Sequence, residues 1–273
     1  MRVNRTAIVS LLAALALVLV PAGALAARAL LVDGSTSVFP LATQLAAAYH
    51  KAFPKLAKPK IGQGQSDAGI NDVASGRVDI ADVSRDPIQG VDPHGLIFTK
   101  IAQDGICLIT NSANPISNLS TQQVQAIFTG QTRDWSDIPG SKVSGPIDLF
   151  DRDGASGTQD AFQNIFLGQD LKVSPSATAE TSNGLVQNAV RSTPNAIGFV
   201  SFAFTEGVNA VPYQGIPCTL RNAKSGQYQG VRNFWMVTKG APKAAASKFL
   251  KWVTSSHNKV ARRIIASNWI AIH

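Results

Sequence analysis

Cysteine is scarce: the 273 residues hold two, Cys107 and Cys218. Neither has a histidine at metal-ligand spacing, which excludes a cysteine–histidine metal site. In an oxidising compartment, two cysteines so far apart leave two readings open, a disulfide or two separate buried thiols. Histidine is nearly as rare. His50, His94, His257 and His273 fall on expected helix faces, in a loop or at the C-terminus, and no H-E-x-x-H or cluster of acids marks a metal centre. The formal charge of +8 comes with no basic run and no interleaving of basic and aromatic residues, so a nucleic-acid module is excluded. The charge reads instead as a mild long-range pull on anions. The apolar run from Ala7 to Val20 is too short, and too closely followed by a cleavage motif, to anchor in a membrane.

That run has another meaning. Arg2 and Arg5 precede it, and Ala24-Leu25-Ala26 follows as an A-x-A site, the plan of a signal peptide cleaved after Ala26. No cysteine stands near the site to carry a lipid. The expected mature chain is exported, most simply to a bacterial periplasm. Without Arg2 and Arg5 it keeps 23 basic residues against 17 acidic ones, a charge of +6. Its length, about 247 residues, suits two modest domains or one large one.

The mature sequence alternates strand-like runs with helix-period patterns. Ala29–Val32 leads into Leu41, Leu45, Ala48 and Tyr49, with Pro40 in the first turn. Lys60-Ile61 leads into a helix opening near Ser66 and closed by Gly76. Residues 77–81, 96–98, 106–110, 146–150, 196–202, 208–213 and 233–238 read as further strands. Ser120-x-x-Gln123 is a capping box. Trp135, in a polar loop, reads as a core plug. Pro242 begins the C-terminal helices. The alternation predicts a mainly parallel α/β sheet whose ligand crevice lies outside the carboxyl ends of the strands.

The most informative stretch is Phe150–Leu167. Arg152 is followed by a cluster of Gly154, Ser156, Gly157 and Thr158, then by Phe162, Ile165 and Phe166 at helical spacing. A helix start leaves backbone N–H groups unpaired and carries partial positive charge, so hydroxyls and a cation beside it make an anion site. A serine N-cap after a turn, with a solvated arginine, is the plainer alternative. The same plan recurs at 34–37, 62–69 and 181–184. Four such junctions, with Arg85 and Arg152 beside strand ends, point to one shared oxyanion.

At these residues the chain resembles the phosphate-binding proteins of bacterial phosphate ABC transporters, of the compact PstS-like kind. GSTSVFPL (34–41), GQGQSDAGI (62–70), GRVDIADVSR (76–85), RDGASGT with QDAF (152–162) and NAIGFVSF (195–202) carry the resemblance, in the family's order. It implies a two-lobed periplasmic binding protein (type II-like), each lobe a mixed sheet flanked by helices, joined by two crossover strands. Lobe 1 would comprise 27–110 and 213–273 and lobe 2 would comprise 111–212, with crossings near 110–112 and 209–213. Thr36, Ser37, Ser66, Ser84, Arg85, Arg152, Ser156, Gly157 and Thr158 fall on the ligand-contact positions.

The implied activity is non-enzymatic binding of inorganic phosphate and its delivery to the membrane subunits of an ABC permease, by a monomer without cofactor or metal. Two departures stand out. Gln63 and Gln65 replace glycine in the second loop, and Ser84 stands where some relatives place a carboxylate that reads the ligand's proton. Asp82, Asp86 and Asp153 are only nearby, and Asp153 is a candidate to orient Arg152. Sulfate, molybdate or a phosphate ester is the alternative ligand, and a permease-independent sensor the alternative role. A secreted serine hydrolase or phosphatase using Ser156 is disfavoured: Thr158 breaks G-x-S-x-G, and a nucleophilic serine needs a base.

Overall fold

The computed structural model describes residues 28–272, so the expected signal segment at 1–26 lies outside the described residues. Among those described, no helix is long and apolar enough to cross a membrane. The first half opens as strand β1 (Leu31–Gly34), helix α1 (Phe39–Ala52), β2 (Lys60–Ile61), α2 (Ser66–Ser75) and β3 (Ile80–Val83). Helix α1 buries Leu41, Leu45 and Tyr49 at four-residue spacing, one stripe against the sheet. Gly76 ends α2 in the left-handed conformation at φ 79°, where a side chain would be strained. The amides of Arg77 and Val78 both return to the Asp72 carbonyl. That extended cap delays β3 to Ile80, three residues past its expected start.

β4 (Leu96–Thr110) is one 15-residue strand where the sequence reads two. The polar interruption at Lys100, Gln103 and Asp104 is no loop. It stays in the ladder through a register shift between Lys100 and Ala102, just before the strand changes partners after Gly105. After it come α3 (Thr121–Phe128), β5 (Asp148–Arg152), α4 (Gly157–Phe162, continued by a π turn to Leu167), β6 (Thr178–Glu180) and α5 (Asn183–Ser192). Then follow β7 (Ala196–Ser201), β8 (Asn209–Val211), α6 (Leu220–Lys224), β9 (Val231–Lys239), α7 (Ala244–Thr254) and α8 (Lys259–Asn268). The short β6 and α6 carry no hydrophobic period that the sequence alone would reveal. The capping box forms as read, Ser120 Oγ accepting from the Gln123 amide and Gln123 Oε1 from the Ser120 amide.

The strands run in the order β2-β1-β3-β9-β4-β7-β5-β6, with β8 also on β4. Pairing is parallel between β1 and β2, β1 and β3, β5 and β6, and β5 and β7. Every pair that includes β4 or β9 is antiparallel. The sheet is therefore mixed: parallel on the outer side of each half, and antiparallel where two long strands connect the halves. β4 pairs with β9 from Leu96 to Gly105, then with β7 from Ile106 to Thr110.

Two large cores flank that switch. One gathers Val32, Leu41, Leu45, Ile80, Phe234, Met236 and Phe249. The other gathers residues from Ile106 to Tyr228, centred on Phe128, Phe162 and Phe199. Phe162 and Phe199 stack with ring centroids 3.8 Å apart. A smaller cluster of Ile70, Val73, Ala81, Val83 and Val237 fills the other face of β3 beneath α2. Trp135 is a buried plug, its indole N–H donating to the Asn195 carbonyl at 2.8 Å. Cys107 and Cys218 form a disulfide that ties β4 to the segment after β8. By its loop length it removes about 4–5 kcal/mol of chain entropy from the unfolded state.

Candidate functional site

The carboxyl ends of β1, β3 and β5 face one another across the switch between cores, and each carries hydroxyls. Gly34 ends β1 at φ 144°, and a Cβ there would stand 2.1 Å from the Asp82 carbonyl oxygen, so only glycine lets β1 lie this close to β3. The next residue, Ser35, donates from Oγ to Ser84 Oγ at 2.7 Å. Ser84 in turn donates its amide to Ser66 Oγ, at the start of α2, at 3.2 Å. Ser37 Oγ and Thr158 Oγ1 lie 3.0 Å apart, linking the β1 loop to the start of α4. Asn183, at the start of α5, donates from Nδ2 to Thr36 Oγ1 at 2.9 Å and to Ser37 Oγ at 2.8 Å. Its Oδ1 accepts the Ser201 amide at 3.0 Å.

All of these side chains are buried. Five segments distant in sequence thus meet at one point. Gly157 is fitted closely there, since a Cβ on it would lie 2.4 Å from Ser66 Oγ and 2.9 Å from Ser84 Oγ. Ser156 caps α4, its Oγ accepting the amides of Thr158 and Gln159 at 3.2 and 3.3 Å. The plain N-cap and the anion-site expectation therefore describe the same serine.

Three arginines lie close by, and they differ. Arg152 is 2% exposed. It donates through Nε to the Glu180 carbonyl at 2.8 Å and through Nη2 to the Thr181 carbonyl at 2.9 Å. Its buried Nη1 has no partner among the described residues. Burial, aided by the neighbouring Arg232 charge and opposed by Asp153, lowers its pKa to about 10, so it stays charged at neutral pH. Arg232, near the start of β9, sends Nη1 to Thr158 Oγ1 and Nη2 to Ser37 Oγ, both at 2.8 Å. Its countercharge is Asp104 on β4, whose Oδ2 lies 3.0 Å from Nη2. Burial pushes Asp104 up and Arg232 down, and each opposes the other's shift.

The Arg85 guanidinium is committed elsewhere. It donates to Asp92 at 2.6 and 3.1 Å and through Nε to Asp67 at 2.9 Å. Burial pulls its pKa down, but those two carboxylates more than offset this. What Arg85 brings near the hydroxyl centre is its main chain, with its amide nitrogen 3.0 Å from where a Cβ on Gly157 would stand.

Thr36, Ser37, Ser66, Ser84, Arg152, Ser156, Gly157 and Thr158 are therefore brought together, and the charged end of Arg85 is not. Sequence reasoning misses Arg232 and Asp104, which fall just outside the segments read as strands. A charge of each sign beside strand-like runs was the available signal. Asn183 was visible only as part of a polar helix start. Asp153 does not hold Arg152 by a hydrogen bond. It accepts from the Ala155 amide at 3.0 Å and from Gln65 Nε2 at 2.5 Å, so Gln65, the departure in the second loop, bridges the two sides. The Asp67 amide reaches the Ala155 carbonyl across the same gap at 3.2 Å.

Chemically, this is a buried centre rich in donors, with two guanidinium groups against one carboxylate, which suits an oxyanion. Among the described residues no histidine hydrogen-bonds to Ser156, and no group of histidine, cysteine and acidic side chains could hold a metal ion.

Known proteins resemble this chain over most of its length. The chain is 30% identical to a candidate phosphate ABC transporter substrate-binding protein with bound phosphate from Clostridium perfringens, covering 90% of this chain and all of that one at a TM-score of 0.82. An ABC-type phosphate transport receptor from Vibrio cholerae is 26% identical, over 88% of this chain and 99% of that one, at a TM-score of 0.69. The phosphate-binding protein PstS of Bacillus subtilis (strain 168) is 26% identical over 234 residues, 84% of this chain and 76% of that protein. The family model of the PBP superfamily domain matches residues 20–257, nearly the whole two-cored body, and the chain belongs to that superfamily.

Proposed function

We propose that this chain binds inorganic phosphate between its two halves and hands it to the membrane subunits of an ABC permease. The observation that carries the reading is the buried Arg152 Nη1, without a partner among the described residues, on a guanidinium near enough to feel the charge of Arg232, which itself bonds the hydroxyls of Thr158 and Ser37. A guanidinium N–H without a partner in a buried site is costly, and a phosphate oxygen would satisfy it with a charge-assisted bond. Thr36, Ser37, Ser66 and Ser84 would donate from one side, and Ser156, Gly157 and Thr158 from the other, with Arg232 beneath. The relatives from Clostridium perfringens and Vibrio cholerae, both named for phosphate and its transport, support the same ligand and partner.

We place the lobe boundary where β4 changes partners, at Gly105/Ile106, and where β9 begins, at Gly230/Val231, rather than near 110 and 213, because the two cores divide there. The Gln65–Asp153 and Asp67–Ala155 bonds would then latch the closed form. Export to the periplasm fits the N-terminal signal and the disulfide. Ser156 serves as a helix cap and oxyanion donor, and no turnover is assigned to it. Isothermal titration of phosphate-stripped protein should give tight one-to-one binding of inorganic phosphate. A flat titration would remove the proposal.

A further inference from the structure

From Arg28 onward the charge of the chain is divided unequally. Residues 106–206 hold nine acidic and five basic side chains, whereas 28–105 and 207–273 together hold eight acidic and eighteen basic ones. Within that second group, 34–66 and 207–273 contain no acidic residue at all. These two stretches supply α1, α7 and α8, three helices packed on one another over the core of Leu41, Phe234 and Phe249. Helix α7 buries Ala246, Phe249, Leu250 and Val253, so Lys248 and Lys251 stand on its outer side, both exposed. Lys51, Lys55, Lys58, Lys60 and Lys259 are exposed as well. None of these seven lysines joins an ion pair among the described residues, and in the adjoining α2–β3 segment Asp72 and Asp79 are already paired with Arg77 and Arg28.

Two apolar features interrupt the cations. A cavity of about 200 Å³ lies between the end of α1 and the start of α7, walled by Leu30, Tyr49, Leu56 and Ala245 and rimmed by Arg28 and Lys248. On α8, Val260 is 53% exposed beside Lys259. The hydroxyl centre is remote from the lysines of this face. It stands at the carboxyl ends of β1 and β3, whereas Lys60 pairs with Leu31 at the amino end of β1.

We propose that the α1–α7–α8 face docks on the surface of an anionic phospholipid bilayer. The inference goes beyond the phosphate reading and does not depend on it. Each lysine or arginine within about a Debye length of such a surface adds to the attraction, and a face without acids meets no opposing repulsion. The cavity adds a second match, since a lipid brings a phosphate for the cationic rim and acyl carbons for the apolar wall. A nucleic acid offers the charge but no acyl chain. The rings of this face, Tyr49, Phe53 and Trp252, are buried or half-buried and leave no platform for a base.

Vesicle co-sedimentation tests this on the exported chain from Ala27, because the apolar run at 7–20 would bind lipid by itself. Vesicles of equal parts phosphatidylglycerol and phosphatidylcholine, at about 0.1 M salt, should bind at least about tenfold more tightly than phosphatidylcholine alone. Lys248→Glu with Lys251→Glu should weaken that binding at least about tenfold. Lys142→Glu with Lys172→Glu makes the same change of net charge on the other half, at exposed sites, and should weaken it less than about threefold. Equal binding to both vesicles, or equal weakening by both pairs, overturns the inference. So does mixed-sequence duplex DNA that binds more tightly than anionic vesicles at equal phosphate concentration. Should the Lys248–Lys251 variant fail to unfold cooperatively, acetylation footprinting of wild type decides. Anionic vesicles should protect Lys55, Lys58 and Lys248 and leave Lys142 and Lys172 reactive, and equal protection of the two sets overturns the inference.

Discussion

Arg85 and Arg152 lie on opposite sides of one gap, both almost wholly buried, and they have opposite surroundings. Arg85 is saturated: Asp67, Asp92 and the Asp86 carbonyl account for its fork. Arg152 has only two main-chain carbonyls and an Nη1 with no partner among the described residues. Burial is equal, so burial alone does not tell a structural arginine from a binding one. The difference lies in how much of the guanidinium the protein itself satisfies. A saturated one holds its rim in place, and an unsaturated one waits for an anion.

The largest expected effect tests the unsaturated side. Arg152→Ala should weaken phosphate binding by about 100-fold, since a charge-assisted bond contributes roughly 1.5–3 kcal/mol. An unchanged Kd would move the site elsewhere. Arg85→Ala tests the saturated side. It leaves Asp92 uncompensated and should lower unfolding stability by about 2–3 kcal/mol, below the usual range for a buried pair because Asp67 is partly exposed. Its phosphate Kd should change less than about threefold, and a larger loss would make Arg85 a ligand group after all.

Gly157→Ala is intermediate. The added Cβ would force Ser66 and Ser84 apart, weakening phosphate by about 1–2 kcal/mol, in line with the cost of overpacking. Equal weakening by a Gly154→Ala control, where an added Cβ meets nothing within 4 Å, would contradict this.

The smallest effect concerns another buried unsatisfied group, Asp82, just behind the loop. Both its oxygens are buried and lack partners among the described residues, and burial, reinforced by Asp33, pushes its pKa well above the usual range. Because the folded-state value is the higher one, stability is fully present below the unfolded carboxylate pKa, about 4, and falls as pH rises towards the folded value. Denaturant titrations should show Asp82→Asn gaining about 1 kcal/mol over wild type at pH 8 and little at pH 4. The same gain at both would mean that its charge is not involved.

The comparison also shows what the sequence could and could not carry. Helices α1, α2, α3 and α5 were legible because periodicity and caps are local, as were the Ser120 capping box and the Gly76 stop. The hydroxyl loops were legible because each junction repeats one local plan. Arg85 and Arg152 look alike in the chain, both beside strand ends with a serine within four residues. Only the approach of Asp92 and Asp67 separates them, and that is set by tertiary folding. Arg232 and Asp104 were hidden for a related reason. Each sits at the edge of an expected strand, and they meet only because β4 and β9 pair over their length, with Asp104 opposite Arg232. The single span of β4 was hidden too, since the polar residues that precede its change of partners look like a break.

The most direct measurement is a crystal structure of the protein grown with phosphate. The account predicts one tetrahedral ion accepting a hydrogen bond from Arg152 Nη1 and lying within reach of Ser66, Ser84 and Thr158. An ion bound elsewhere, or one at this centre with Arg152 Nη1 still lacking a partner, would contradict it.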